Sequence, residues 1–172
     1  MIRIYQDGEL KDSELLKRNA PKFDVAGVVA EILADVEQNG DAAVLKYTEK
    51  FDHAKLVSLL VSEAEIEEPM AETEPEFLDT LRLGERNIRE YHEKQLSRSW
   101  SFTRPGGAVL GMKLLPIERA GLYVPAGTAP YPSTVMMDAV PAKIAGCSEI
   151  IMCTPCRPDG KVNAAILAAA KI

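Results

Sequence analysis

Pro116-Ile117-Glu118-Arg119-Ala120-Gly121-Leu122-Tyr123-Val124-Pro125-Ala126-Gly127-Thr128-Ala129-Pro130-Tyr131-Pro132-Ser133 is the stretch on which the fold turns. Residues 120–124 read as a short buried strand that ends in a proline- and glycine-rich turn, and residues 133–145 as a small-residue helix. A second apolar strand is predicted over residues 149–154 and a second helix over residues 162–172. Strand, helix, strand, helix is the order of βαβ units on a parallel sheet, so the fold class is α/β, with the start of an incomplete Rossmann-like sheet. Two strands make half of a mononucleotide-binding unit at best, and the sheet is expected to continue in a longer parent chain.

Upstream of this segment the texture is helical. Val25, Val28, Val29, Ile32, Leu33 and Val36 follow helical spacing, with Asp24 placed as N-cap and Gly40 as a stop. Asp41 is placed to cap a second helix with Val44, Leu45, Thr48 and Phe51 on one side, and both helices are expected to bury an apolar stripe. Residues 56–61 read as a short strand, and Glu63, Glu65, Glu67 and Glu68 as a charged surface connection. Thr73 and Glu76 have the spacing of a capping box, opening a long helix with Phe77, Leu81, Gly84, Ile88, Tyr91 and Gln95 on one face. Arg104-Pro105-Gly106-Gly107 signals a turn, and residues 108–116 suggest a strand broken at Gly111. The expected organisation is a mainly helical region over residues 1–100 and a partial Rossmann-like framework over residues 101–172.

Length and composition narrow the function classes. A chain of 172 residues has room for one domain and a small appendage, and 47% apolar with 27% charged residues is a globular composition. The net charge of -6 argues against nucleic acid as a partner, since a polyanion is not drawn to an acidic surface. Basic residues are scattered; the densest group, Lys11 to Arg18, is interleaved with Asp12 and Glu14 as on a solvated helix face. No apolar run approaches the ~20 residues that span a bilayer, and the start of the chain carries no signal-peptide core, so no membrane partner and a cytoplasmic location are expected. The three cysteines, Cys147, Cys153 and Cys156, crowd into one segment, unlike a secreted disulfide framework.

The quoted stretch closely resembles the histidinol dehydrogenase family. The likeness continues through Thr134-Val135-Met136-Met137-Asp138-Ala139-Val140-Pro141-Ala142-Lys143-Ile144-Ala145-Gly146-Cys147 and Ile150-Ile151-Met152-Cys153-Thr154-Pro155 to the alanine-rich end. More loosely, it includes Val36-Glu37-Gln38-Asn39-Gly40-Asp41-Ala42-Ala43-Val44 and Tyr47-Thr48-Glu49-Lys50-Phe51-Asp52. Ala126 stands where the family usually has the first of two glycines, Cys156 where a second proline is common, and Asp138 where asparagine is common.

This resemblance implies the N-terminal portion of an NAD- and zinc-dependent enzyme, a homodimer in the family, that oxidises L-histidinol to L-histidine in two steps through the aldehyde, the last step of histidine biosynthesis. It implies that the zinc ligands and catalytic groups lie beyond this stretch, so the segment alone is expected to be inactive. It also implies one site residue: the family's NAD-contacting tyrosine falls on Tyr123, at the carboxyl end of a strand where open α/β sheets place their ligands. Gly127 and Thr128 are expected to shape the adjoining turn. Two other readings stand beside this one: a non-catalytic nucleotide-binding or assembly module, and a superfamily relative oxidising another amino alcohol or a sulfonate.

The remaining motifs have plainer readings. Cys153-Thr154-Pro155-Cys156 is a C-x-x-C, but prolines 155 and 158 keep the chain extended where a redox pair needs a helix, so incidental core and loop cysteines are expected. Ser133 and Thr134 are candidates to cap a helix or hold an anion, without a G-x-G-x-x-G or a Walker lysine. His53 and His92, the only histidines, fall in a loop and on a polar helix face and do not make a zinc site.

Overall fold

The computed structural model describes residues 4–6, 8–9, 25–126 and 129–172. Asp24, the group Lys11 to Arg18, Gly127 and Thr128 lie outside the described residues. The chain divides into two units, Met1–Ala43 and Val44–Ile172.

In the first unit, helix α1 (Val25–Asn39) ends at Gly40, whose φ of 55° lets the backbone leave the helix while its N–H still donates to the Val36 carbonyl at 2.8 Å. The expected burial is not observed here: α1 has no buried residue, and Val25, Val28, Val29 and Leu33 are exposed. The stripe has helical spacing, but no described element of its own unit covers it.

Helix α2 (Asp41–Phe51) buries Ala43, while Phe51 stays half exposed and stacks on Tyr47 at a centroid distance of 5.9 Å. The strand expected over residues 56–61 is a loop instead. His53 enters it at φ 58°, and the Ser58 hydroxyl accepts the Leu60 N–H at 3.1 Å, taking a backbone donor that a ladder would need. The acidic run after it is not a connection but helix α3 (Glu63–Glu72). Its capping box is Ser62 with Glu65: the Ser62 hydroxyl accepts the Glu65 N–H, and the Glu65 carboxylate accepts the Ser62 N–H at 2.8 Å and hydroxyl at 2.7 Å. Those two bonds hold the Glu65 carboxyl below its ordinary pKa. Thr73 therefore does not open the next helix. Its N–H and hydroxyl donate to the Pro69 carbonyl, and helix α4 (Pro75–Glu93) starts from Glu74 and Pro75 with no side-chain cap.

Strands β1 (Trp100–Thr103) and β2 (Val109–Met112) form an antiparallel hairpin in which Trp100 faces Met112 and Phe102 faces Leu110. The turn is closed by the Gly107 N–H on the Arg104 carbonyl at 2.9 Å, with Gly107 at φ 86°. Gly111 does not interrupt β2. It lies opposite Ser101, and a Cβ there would overlap the Trp100 carbonyl and come within 2.8 Å of the Ser101 Cβ, so glycine allows the strands to approach.

The βαβ unit follows: β3 (Arg119–Tyr123), α5 (Pro132–Ala145), β4 (Glu149–Cys153), then α6 (Ala164–Lys171). The strands run parallel in the register Arg119 to Glu149 through Tyr123 to Cys153. One core joins α4, α5, α6 and the end of β3 through Leu81, Val124, Val135, Met136, Val140, Ile166, Ala168 and Ala169. Gly84 admits Met136 at the α4–α5 contact, where an added Cβ would sit 3.5 Å from the methionine methyl. Tyr91 and Gln95, expected on this face, are exposed beyond its end. Helix α5 stops in a Schellman turn: the Gly146 N–H donates to the Lys143 carbonyl, the Cys147 N–H to the Ala142 carbonyl, and Gly146 is at φ 90°.

Two measurements check this account. Gly146→Ala forces a side chain into the left-handed region and presses it on Pro116, and is expected to lower unfolding free energy by about 1–2 kcal/mol in urea titrations. Ser62→Ala removes the capping box. Because the folded pKa of Glu65 is depressed, the contribution of its bonds is present at neutral pH and lost as pH falls through that value, so the stability gap between variant and parent should narrow in acid.

Candidate functional site

Tyr123 is the last residue of β3, and the backbone around it is tied down. The Val124 N–H donates to the Cys153 carbonyl at 2.9 Å, the Thr154 hydroxyl donates to the Val124 carbonyl at 2.8 Å, and Val124 itself is fully buried. Alternation along the strand then sends residue 123 to the opposite face, where its ring is 65% exposed.

That face is made of alternate residues from both strands. Gly121 lies beside Ile151, which is 51% exposed, and Tyr123 beside Cys153, also exposed. A Cβ on Gly121 would meet nothing within 4 Å, so the glycine leaves open space on the strand next to the tyrosine ring. At the other end of the face Arg119 and Glu149 form an ion pair at 2.6 Å. The result is an open, largely apolar shelf at the carboxyl end of a parallel pair, suited to the flat side of a heteroaromatic ring.

The helix start next to it departs from expectation. Tyr131, not Ser133, is the N-cap of α5, with no side-chain cap bond, and Pro132 takes the first helical position. The Thr134 N–H donates to the Tyr131 carbonyl at 3.0 Å, so it is already committed within the turn. The structure thus brings Tyr123 and Cys153 together across the ladder and leaves Ser133 exposed at the helix start.

Cys147, Cys153 and Cys156 are free thiols. Burial, and after it the nearby Asp52 carboxylate, push the Cys156 thiol above its ordinary pKa, the opposite of what an attacking cysteine needs. Among the described residues no group of three or more His, Cys, Asp or Glu can hold a metal ion. The His92 ring nitrogen Nδ1 is instead engaged by Gln95 Oε1 at 2.6 Å. The described residues therefore do not converge into a site that fits zinc. A cleft of about 380 Å³ lies elsewhere, bordered by Glu65, Pro69, Lys161 and Leu167, and contains none of the shelf residues.

Comparison with known proteins supplies the family. The family model described as histidinol dehydrogenase matches residues 16–172. Histidinol dehydrogenase from Chlorobaculum tepidum is 47% identical, with 100% of this chain and 41% of that protein covered. The enzyme of that name from Methanosarcina barkeri is 44% identical, with 95% and 38% covered. A crystal structure of histidinol dehydrogenase from Elizabethkingia anophelis superposes with a TM-score of 0.84 at 34% identity, covering 92% of this chain and 37% of that one. The chain spans about two fifths of the length of these relatives and matches an N-terminal portion of the enzyme. With 157 consecutive positions under one family model, a parallel βαβ unit and the same backbone in a solved relative, the chain belongs to the histidinol dehydrogenase family, a family of oxidoreductases.

Proposed function

We propose that this chain contributes the N-terminal portion of an enzyme that oxidises L-histidinol to L-histidine through the aldehyde, in two NAD-dependent steps that complete histidine biosynthesis. The observation that carries this reading is the match to histidinol dehydrogenases along nearly the whole chain. In this reading the chain's share of the work is cofactor placement. NAD, when bound, supplies the hydride acceptor. The Tyr123 ring packs against a flat face of the nucleotide, and its hydroxyl serves as a polar handle at the edge of the shelf. Gly121 and Ile151 give that ring an apolar floor, and the hydrogen bonds at Val124 and Thr154 keep the tyrosine at the strand end.

Zinc enters through the family alone. The same reading takes the complete enzyme to be a cytoplasmic homodimer, with neither a membrane nor a nucleic acid as partner; three thiols left free of disulfides support a reducing compartment. Among the described residues, no helix is long and apolar enough to cross a membrane.

Two experiments check this. Calorimetric titration of the 172-residue chain with NAD should show binding that Tyr123→Ala weakens about tenfold, in line with ~1–3 kcal/mol for a base stacked on an aromatic ring; equal affinity in the variant would remove Tyr123 from the site. With zinc, NAD and histidinol together, absorbance at the NADH band should stay flat, because the chain's described residues hold no metal site. Labelling gives an independent readout: iodoacetamide should modify exposed Cys153 before the partly buried Cys156, whose raised pKa lowers its thiolate fraction further, and NAD should slow only Cys153.

A further inference from the structure

The last rung of the β3–β4 ladder is made by a side chain where the parallel pattern calls for backbone. In a parallel pair, a residue that donates its N–H to one residue of the neighbouring strand accepts at its carbonyl from the residue two positions further along that strand. Val124 donates to the Cys153 carbonyl at 2.9 Å, so its own carbonyl is due the N–H of residue 155. Residue 155 is proline and has none. The Thr154 hydroxyl donates to that carbonyl instead, at 2.8 Å. Val124 is fully buried, and a buried carbonyl left without a donor is costly. The hydroxyl is what lets β4 run into proline without orphaning a group on β3.

We propose that Thr154 is a positioning residue of the nucleotide site: its hydroxyl replaces the missing ladder donor and thereby fixes the strand end that carries Tyr123. The inference rests on the NAD reading above. Continuing the register places Thr154 beside Val124, on the core side of the pair, while Tyr123 and Cys153 occupy the open side. Thr154 is thus on the far side of the strands from a nucleotide lying on the shelf, and acts on it through the Val124 backbone. With both polar groups of Val124 bonded, the peptide planes on either side of it are held, and one of them joins Val124 to Tyr123. Pro125 adds to this, since a residue before proline is confined to extended backbone.

The size of the effect is that of one hydrogen bond, a factor of about three to ten in an equilibrium. Thr154→Val keeps the shape of the side chain and removes the donor, whereas Thr154→Ser keeps the donor. Pro155→Ala in the Thr154→Val background returns a backbone N–H at residue 155, and so restores the rung by the route that proline had closed. A residue that merely fills space would gain nothing from that second change.

The first test needs no ligand. Hydrogen exchange of the Val124 amide, followed by NMR on the 172-residue chain, should speed up about three- to tenfold in Thr154→Val. It should return to the parent rate in Thr154→Ser and in Thr154→Val combined with Pro155→Ala. Calorimetry should then show NAD binding weakened about three- to tenfold by Thr154→Val, and recovered in the same two rescues. In a Tyr123→Ala background, Thr154→Val should cost no more than about twofold further, because it acts through the tyrosine. Unchanged exchange in Thr154→Val, no rescue by Pro155→Ala, or losses that add in full to those of Tyr123→Ala would each overturn the inference. A parent chain that does not bind NAD would instead sink the NAD reading, with the exchange rates at Val124 still deciding whether Thr154 holds the strand end.

Discussion

The parallel pairing of β3 with β4 is held at both ends by bonds that leave no freedom of register. At the start, the Glu118 carbonyl accepts the N–H groups of Ser148 and Glu149 and the Ser148 hydroxyl; at the far end, Val124 is bonded through its N–H to Cys153 and through its carbonyl to Thr154. A slip of one residue would turn Val124 out of the core and Tyr123 into it. The exposed tyrosine and the buried valine are thus two consequences of one register, and the helices follow from it, because α5 crosses between the strands and α6 closes over α5.

Burial around this pair is one-sided. The core beneath it is small but dense, with Ile166 and Val124 fully enclosed, and the buried alanines 168 and 169 let α6 approach its neighbours closely. The other face carries Gly121, Tyr123, Ile151 and Cys153 in the open. Parallel strands in complete α/β proteins are covered on both faces, which is consistent with a chain that spans about two fifths of its relatives' length.

Much of this was legible in the sequence, and the failures are instructive. The strands at 119–123 and 149–153 and helices α5 and α6 could be read because apolar runs there are short and bounded by glycine and proline. The family could be read because residues 116–133 combine such a strand with an unusual turn. Helix α3 is hard to read from sequence because its glutamates and Pro69 suggest a charged connection, and its one positive signal is Ser62 with Glu65 three positions on. Strand β1 went unread although Trp100-Ser101-Phe102-Thr103 alternates with period two; four residues next to a turn carry too little pattern alone, and the pairing with β2 is what establishes it. At the candidate site, the position of Tyr123 could be read from the strand end. The shelf beside it could not, since Ile151 and Cys153 become its neighbours only through the register.

The link from α5 to β4 consists of Gly146, Cys147 and Ser148, and the N–H of each is already engaged, by Lys143, Ala142 and Glu118. An extra residue there would break at least one of those bonds and displace the register of everything after it. Such a link leaves evolution no slack. Insertions and deletions that distinguish one family member from another must settle in places such as the hairpin tip at 104–108 or the loop at 154–162, so sequence length can drift on the periphery while the crossover keeps the same count of residues.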